Sequence, residues 1–191
     1  MRVLDLGCGR AKTPGAIGVD LSRYSDADVR CNLNDLPLPF QANSFDRVIC
    51  NGIIEHVAEI VPLMEELYRI CCHGARITIT APHFSSADAF TDPTHRHFLA
   101  ARSFDYFTGE FPEYSFYSTA RFRKRRVEIT FWELPRLGGI RPQHWLGANL
   151  LANRAPVLYE RFFAFMLPAQ SIVYELEVVK EEPVPCGHGL H

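Results

Sequence analysis

A short glycine-rich loop follows the first apolar run of the chain. Asp5, Gly7 and Gly9 lie in the segment Leu-Asp-Leu-Gly-Cys-Gly, directly after the run that begins at Val3. Glycine at such a turn lets the backbone approach a ligand closely and adopt dihedral angles that other residues avoid. The next apolar run ends in Asp20, whose carboxylate could accept both hydroxyls of a ribose. The spacing predicts a nucleoside site at the carboxyl ends of parallel strands.

A dinucleotide site is the main alternative for this loop. A nicotinamide-dependent oxidoreductase needs a third glycine and a full helix, so that the helix N-terminus faces a pyrophosphate. Here Lys12 stands where the third glycine is expected, and Thr-Pro-Gly follows it before the second strand. Because that link leaves hardly any room for a helix, it disfavours a pyrophosphate. Asp5 as a turn cap and Asp20 as an ordinary strand-end carboxylate remain the structural alternatives.

A second group of polar residues follows the fifth predicted strand, a position where open α/β sheets bind ligands. Its members are His83, Asp88, Asp92, His95, Arg96 and His97. We predict that one of the three histidines, with His83 and His95 preferred over His97, acts as a general base, and that Asp88 or Asp92 orients the imidazole. Asp92 with His95 or His97 could instead hold a divalent metal ion, although we assign no metal ligand from the sequence. The structural alternative is a capped turn in which Asp92 bonds the backbone of His95.

Two further segments invite a surface role. Residues 121–126 carry five cations, which could grip a phosphate of a linked sugar or an anionic membrane surface. A solvated strand edge is the alternative for this run. The apolar residues 157–167 predict a helix that packs on the sheet. A dimer interface and a peripheral membrane contact are the alternatives for that helix.

Bulk properties narrow the function classes. The net charge of −2 argues against a protein that coats nucleic acid, so we expect no nucleic-acid partner. We find neither an apolar run of the ~18 residues that span a bilayer nor a signal peptide, so we expect a cytoplasmic protein. The six cysteines show no CxxC pair and no metal-ligand spacing. We therefore expect small buried residues in a reducing compartment.

The first half of the chain alternates short apolar runs with turn or helix signals, which predicts repeated βα units. Strands are predicted at residues 3–6, 16–20, 29–31, 45–50 and 75–81. A helix is predicted over residues 57–72, with Gly74 as its C-terminal stop. Its buried face carries Leu63, Leu67 and Ile70, whereas its other faces carry Glu65, Glu66 and Arg69.

The second half predicts two more strands, at residues 125–132 and 172–179, with the helix of residues 157–167 between them. Residues 181–191 have no apolar period and are expected to be a disordered tail. We find neither an internal repeat nor a linker, so residues 1–180 form one predicted domain. The expected fold is α/β and Rossmann-like, with a seven-stranded, mostly parallel sheet and helices on both faces. Its last two strands are expected to be antiparallel.

Four motifs in register carry a family resemblance. LDLGCG, GVD, LPLPFQANSFDRVICNGIIEHV and the ELYRI…HGARITITAP run resemble class I S-adenosylmethionine (SAM)-dependent methyltransferases of the type 11 branch. That resemblance covers residues 3–82. KTPG, PHFSSADAFTDPTHRHF, SFDYF and YERFFAFMLPAQSIVYELEVVK are similar to a subgroup often associated with bacterial surface-polysaccharide gene clusters. The narrower resemblance spans nearly the whole chain.

The resemblance implies a SAM site after the first four strands. The glycine loop would surround the methionine part of SAM, Asp20 would bind the ribose, and Asn32 with Leu33 would border the adenine. Asn32 stands where the family usually has aspartate, and its amide can still pair with an adenine edge. The full implied set is Asp5, Gly7, Cys8, Gly9, Asp20, Leu21, Asn32, Leu33, Asn51 and Ile53. Turn formation is the alternative role for Asn51. Glu55 and His56 are interpreted as a helix-start pair that holds the loop.

The predicted activity is transfer of a methyl group from SAM to an oxygen of a sugar or polysaccharide precursor. The partner would be a small-molecule or glycan acceptor, and self-association stays open. A rival is a non-catalytic SAM-binding or scaffold protein of the same fold. In that rival the loop from His83 to His97 would be purely structural.

Overall fold

The computed structural model describes residues 1–109, 116–132 and 147–181. Seven strands form one sheet. In chain order they are β1 (Val3–Leu6), β2 (Ile17–Asp20), β3 (Val29–Arg30), β4 (Phe45–Asn51), β5 (Cys71–Pro82), β6 (Phe122–Thr130) and β7 (Ser171–Val178). Across the sheet they run in the order β3-β2-β1-β4-β5-β7-β6.

The first five strands are parallel. β1 lies between β2 and β4, with Leu4 opposite Ile17 on one side and Val48 on the other. β7 pairs antiparallel with both β5 and β6. The predicted seven-stranded, mostly parallel sheet with an antiparallel end is therefore confirmed. Because parallel strands end at the same edge, the loops after β1, β2 and β4 meet there.

Four α-helices and one short 3₁₀-helix accompany the sheet in the described ranges. They are α1 (Ile60–Ile70), α2 (Asp88–Thr91), the 3₁₀-helix (Asp105–Phe107), α3 (Ala148–Arg154) and α4 (Pro156–Phe162). One contiguous apolar core extends from Leu4 to Val178, so the predicted single domain is confirmed. Across the described residues, every helix is too short or too polar to cross a membrane.

The predicted helix of residues 57–72 is too long at both ends. The helix begins at Ile60, and Cys71 already pairs with Phe45 as the first residue of β5. Gly74 has a φ of 77° inside this strand segment, so it does not stop the helix as predicted. The strand pairing wins because it satisfies the backbone groups that would otherwise end the helix unpaired.

The prediction that Glu66 lies outside the buried face of α1 is wrong. Its side chain is buried, and its Oε1 accepts a hydrogen bond of 2.7 Å from the Leu38 backbone N–H. The Arg69 guanidinium donates to both Glu66 carboxylate oxygens and to the Phe40 carbonyl. The pair thus fastens the loop before β4 to the helix.

The basic run lies on β6, the edge strand of the sheet. Arg123 and Arg125 both pair with Glu177 on the neighbouring β7, while Arg126 pairs with Glu128. Lys124 forms an ion pair with the buried Asp105. Because these cations already have carboxylate partners, the geometry favours the strand-edge interpretation over a phosphate grip.

The apolar segment after residue 156 is only partly buried. α4 ends at Phe162, and Tyr159 is its fully buried residue. Phe162, Phe165 and Met166 are exposed by 61%, 79% and 77%, so the predicted packing of this whole stretch on the sheet is wrong. A dimer interface and a membrane contact stay predictions for it. The predicted tail lies outside the described residues from position 182 onward.

The described cysteines are buried, except Cys31, which is partly buried. Cys8, Cys31, Cys50 and Cys71 carry free thiols. Burial raises the pKa of Cys71 to about 12, which makes its thiol a poor nucleophile.

Candidate functional site

A cavity of about 170 Å³ opens at the carboxyl edge of the parallel strands. Its walls come from the loops that follow β1, β2, β3 and β4, which the strand order brings side by side. The lining residues are Gly7, Asp20, Leu21, Cys31, Asn32, Leu33, Asn34, Ile53, His56 and Val57. Six of them belong to the set implied by the resemblance: Gly7, Asp20, Leu21, Asn32, Leu33 and Ile53. Their role in binding a cofactor stays a prediction.

The turn after β1 brings backbone close to the opposite wall. The N–H groups of Gly7 and Cys8 both donate to the Val19 carbonyl, at 2.8 and 3.2 Å. Gly7 has a φ of 64°, and a Cβ at this position would lie 2.5 Å from Cγ1 of Ile53. A side chain at position 7 would therefore collide with the far side of the cavity and close it.

Asp5 holds the turn from behind. Its side chain is 4% exposed, and its Oδ2 accepts a hydrogen bond of 2.7 Å from the Thr13 N–H. Residues 7–16 contain no helix, as predicted from the short link. Lys12 instead forms an ion pair of 2.8 Å with Asp28, whose other oxygen accepts from the Gly18 N–H. Asp5 thus occupies the turn-capping position that was its structural alternative.

Asp20 lies on the cavity wall at the tip of β2. Its Oδ2 accepts from the Gly9 N–H at 2.9 Å, and its Oδ1 accepts from the Ser22 N–H at 2.7 Å. A carboxylate has about four acceptor sites, so each oxygen keeps one for a further donor. The two backbone bonds fix the carboxylate in place while leaving it able to accept hydroxyl groups.

The loop after β3 forms the opposite wall. Asn32 Oδ1 accepts from the Asn34 N–H at 3.1 Å, and Asn34 Oδ1 accepts from the Ala58 N–H at 2.7 Å. Leu33 is buried between them. These bonds tie the Asn32–Leu33 turn to the segment that leads into α1, so an apolar and an amide surface face the cavity together.

Four residues of the implied set lie behind or beside the cavity lining. They are Asp5, Cys8, Gly9 and Asn51. Cys8 is buried, and its Sγ would lie 2.9 Å from a Cβ at Gly18, so its side chain faces β2. Asn51 ends β4 as an exposed residue. The part that these four residues take in binding stays a prediction.

Glu55, His56 and His95 converge beside the cavity. Each residue offers one ligand atom, and these atoms lie within 4.8 Å of one another. The rings of His56 and His95 meet edge to face with centroids 4.6 Å apart, and His95 Nε2 lies 4.0 Å from Glu55 Oε1. Burial raises the pKa of Glu55 above its ordinary value, against the smaller opposing effect of the two histidines.

Asp92 forms the capped turn that was its structural alternative. Its Oδ1 accepts from both the N–H and the hydroxyl of Thr94, at 2.8 and 2.7 Å, while its own carbonyl accepts from the His95 N–H. The hydrogen bonds from Thr94 hold the pKa of Asp92 below its ordinary value. The predicted acid–base role requires a contact between the Asp92 carboxylate and the His95 ring. The carboxylate bonds Thr94 instead.

His83 lies in the interior and far from solvent. It is 0% exposed, with Nδ1 2.8 Å from Ser85 Oγ and Nε2 3.2 Å from Glu160 Oε1. The same Glu160 oxygen accepts from the Ala101 N–H at 2.6 Å. Both ring nitrogens are engaged, so this position gives no support to the predicted acid–base role of His83.

Sequence reasoning does not assign Glu55 and His56 to the candidate site. Their interpretation as a helix-start pair is wrong in position, because α1 begins only after Glu59. The Glu55 carbonyl accepts from the Arg96 and His97 N–H groups at 2.8 and 3.3 Å, which docks the loop of His95 onto them. An adjacent glutamate and histidine directly after a strand tip is the local signal that could have marked them.

The cavity suits the cofactor that the resemblance implies. A ribose needs a fixed acceptor, which Asp20 provides, and an adenine needs apolar surfaces such as Leu21, Leu33 and Val57. The absence of a helix in residues 7–16 fits a nucleoside that lacks phosphate. SAM is such a ligand.

Comparisons with known proteins give one family-model match and several similar folds. Residues 4–79 match the family model for a methyltransferase domain. None of the curated proteins matches the chain significantly. The fold is similar to that of a SAM-dependent methyltransferase from Archaeoglobus fulgidus, with 17% identity and a TM-score of 0.58 over 92% of this chain and 85% of that chain.

Two more solved structures share the fold. One is an S-adenosylmethionine-dependent methyltransferase from Mesorhizobium loti, with 16% identity and a TM-score of 0.53 over 92% of this chain and 90% of that one. The other is phosphoethanolamine N-methyltransferase 2 from Haemonchus contortus in complex with SAM, with 18% identity and a TM-score of 0.51 over 94% and 49%. The fold is similar to that of these SAM-dependent methyltransferases, and the domain match together with these neighbours supports SAM as the cofactor.

Proposed function

We propose that this chain transfers the methyl group of SAM to an oxygen of a sugar or related small acceptor. The observation that carries the proposal is the position of His56, which lines the cavity and also belongs to the cluster with Glu55 and His95. A nucleoside-sized site and a group of proton-accepting side chains thus meet at one edge of the sheet.

Residues of the cavity would hold SAM, which supplies a methyl group on a positively charged sulfur. Asp20 would accept the ribose hydroxyls, and Leu21 with Leu33 would cover the adenine. The turn at Gly7 would let backbone approach the ligand where a Cβ would collide with Ile53.

The acceptor oxygen must lose its proton as it forms a bond to the methyl carbon. The carbon–sulfur bond would break as the carbon–oxygen bond forms, and its electron pair would stay on sulfur to give S-adenosylhomocysteine. The His95 Nδ1 lies 3.0 Å from the Ala89 carbonyl, so a neutral ring donates there and keeps its lone pair on Nε2. That nitrogen lies 4.0 Å from Glu55 Oε1, and we assign to it the role of helping to remove the proton.

Two observations favour a sugar oxygen over other acceptors. A hydroxyl is a poor nucleophile while protonated, so it benefits from a cluster of this kind. The loop of His95 also exposes Phe90 and Phe98, stacked with centroids 4.7 Å apart, and such an apolar face can receive the carbon face of a sugar ring. The narrower sequence resemblance to polysaccharide-cluster enzymes points the same way.

The cofactor half of the proposal is tested by calorimetry on the full chain. We expect SAM and S-adenosylhomocysteine to bind, and NADH not to bind. Asp20→Ala should weaken SAM binding by about tenfold or more, because it removes a charged hydrogen-bond acceptor. Asp28→Ala is the matched control, since Asp28 also accepts a backbone N–H but lies outside the cavity lining. Equal affinity of wild type and Asp20→Ala would contradict the assignment.

The acceptor half is tested with SAM labelled at the methyl carbon and a panel of free and nucleotide-linked sugars. Formation of S-adenosylhomocysteine together with an O-methyl carbon signal in the product supports the proposal. A product methylated only on nitrogen contradicts it. Tight SAM binding without turnover on the whole panel would favour the scaffold alternative.

A further inference from the structure

The Glu55–His56–His95 cluster has the composition of a metal site. One carboxylate oxygen and two imidazole nitrogens lie within 4.8 Å of one another. Ligands about 2.1 Å from a tetrahedral ion lie about 3.4 Å apart. Side-chain movements that shorten the largest of these separations by about 1.4 Å would bring the donors around one ion.

Glu55 provides an independent sign that a cation belongs here. The residue is 2% exposed, and its Oε2 has no hydrogen-bond partner among the described residues. A buried carboxylate oxygen without a partner is costly, and native proteins seldom keep one without an ion or water. The other oxygen of the same carboxylate, Oε1, lies 4.0 Å from Nε2 of His95, and a neutral imidazole is a metal ligand.

Hydrogen bonds on the far side of each ring select the tautomer that a metal needs. His95 Nδ1 faces the Ala89 carbonyl at 3.0 Å, which can only accept, so Nδ1 carries the proton of a neutral ring. His56 Nδ1 lies 2.8 Å from Thr94 Oγ1, whose own hydrogen goes to Asp92. Nε2 of both rings is thus left with its lone pair, which is the arrangement that supports metal-bound histidines.

We propose that Glu55, His56 and His95 bind one divalent cation of mixed nitrogen and oxygen preference, such as Mn²⁺ or Zn²⁺, beside the cofactor cavity. Three protein ligands leave open positions for small ligands, and vicinal hydroxyls of a sugar fit them. This ligand set differs from the alternative considered from the sequence, in which Asp92 with His95 or His97 holds the metal ion. Asp92 instead acts through Thr94 as a positioning residue.

The consequence for catalysis rests on the proposed function, whereas the binding of the ion does not. A dication beside the acceptor hydroxyl lowers the pKa of that hydroxyl. His95 would then contribute as a ligand, and the proton would pass to water. The acceptor class would narrow to molecules with two neighbouring oxygens.

The test measures ion binding directly on the full chain after its metals are removed with a chelator. Free Mn²⁺ is followed by electron paramagnetic resonance, and Zn²⁺ by competition with a chromophoric chelator. We expect one saturable site, with affinity lowered about tenfold or more in Glu55→Gln and in His95→Gln. His73→Gln is the control, because exposed His73 only accepts from the Lys180 N–H.

Circular dichroism of each variant confirms that it is folded before its affinity is compared. Absence of saturable binding at millimolar Mn²⁺ and Zn²⁺ would overturn the proposal, as would unchanged affinity in both cluster variants. Calorimetry with SAM on the metal-free chain separates the two claims. Ion binding without SAM binding would overturn the proposed function alone, and SAM binding without ion binding would overturn the metal site alone.

Discussion

At the level of single residues, the most constrained position is Gly7. Its φ of 64° is in the left-handed region, and an added Cβ would lie 2.5 Å from Ile53 Cγ1. Gly9 has a similar φ of 53° but open space around its Cβ position. An alanine at Gly9 would therefore cost only backbone strain, about 1–2 kcal/mol. An alanine at Gly7 would add a collision with Ile53.

We expect Gly7→Ala to lower the free energy of unfolding by more than Gly9→Ala, and to weaken SAM binding by at least about tenfold. Urea unfolding and calorimetry measure the two effects. In an Ile53→Ala background the cost of Gly7→Ala should shrink toward that of Gly9→Ala, because the collision is gone. Equal costs with and without Ile53 would show that the close approach is unimportant.

A second prediction at this level concerns Thr94. Thr94→Val keeps the shape of the side chain but removes the oxygen that accepts from His56 Nδ1. The ring then loses its tautomer selection, and we expect Mn²⁺ affinity to fall about tenfold with little change in stability. Thr91→Val is the matched control, since the Thr91 hydroxyl donates to the Ala87 carbonyl in the same loop. A similar loss in both variants would assign the effect to the loop as a whole.

The sequence predicts the cofactor side of the site better than the acceptor side for a physical reason. Asp20 and Leu33 lie at strand tips, and parallel strands must bring their tips to one edge. His95 reaches Glu55 because two loops dock through backbone hydrogen bonds of Arg96 and His97. Such docking has no periodic pattern, so residues that are distant along the chain gave no signal of their contact.

At the level of elements, the pair of His83 and Glu160 joins the end of β5 to α4. Glu160 Oε1 lies within hydrogen-bond distance of His83 Nε2, at 3.2 Å, and accepts a hydrogen bond of 2.6 Å from the Ala101 N–H. Three segments thus share one buried carboxylate oxygen. His83, which the sequence predicts as a catalytic residue, therefore connects the end of β5 with α4.

We expect His83→Ala to lower the free energy of unfolding by about 2–4 kcal/mol, because it opens a cavity and leaves buried polar atoms without partners. Urea denaturation measures the loss. Mn²⁺ affinity of the folded variant should stay within about twofold of wild type. Undiminished stability with abolished methyl transfer would instead restore the acid–base role of His83.

Tertiary pairing explains why α1 ends before the residue that its sequence pattern predicts, and why the cations of β6 have partners on another strand. The α1 pattern alone would continue to Cys72, but Cys71 pairs with Phe45 and starts β5 instead. The run of cations at residues 121–126 looks like an anion site in isolation. Glu177 on the neighbouring strand, 52 residues from Arg125, neutralises part of it. Local composition cannot reveal a partner that only the sheet order provides.

At the level of the whole molecule, the sheet order places every wall of the cavity on a different loop. β1, β2, β3 and β4 each contribute the segment that follows them. Neighbouring loops are joined by hydrogen bonds, such as those from the Gly9 N–H to Asp20 and from the Ala58 N–H to Asn34. A ligand that contacts all of them should therefore stabilise the folded state as a unit.

A ligand that binds only the folded state adds RT ln(1 + [L]/Kd), about 2.7 kcal/mol at a concentration one hundred times Kd. For a chain of 191 residues this corresponds to a rise in Tm of roughly 5–10 °C. We expect S-adenosylhomocysteine to produce this rise in thermal unfolding, NADH to produce none, and Asp20→Ala to lose most of it. Asp28→Ala should keep the ligand-induced rise although Lys12 loses its partner. A rise that survives in Asp20→Ala but vanishes in Asp28→Ala would place the nucleoside behind the turn after β1, outside the cavity described above.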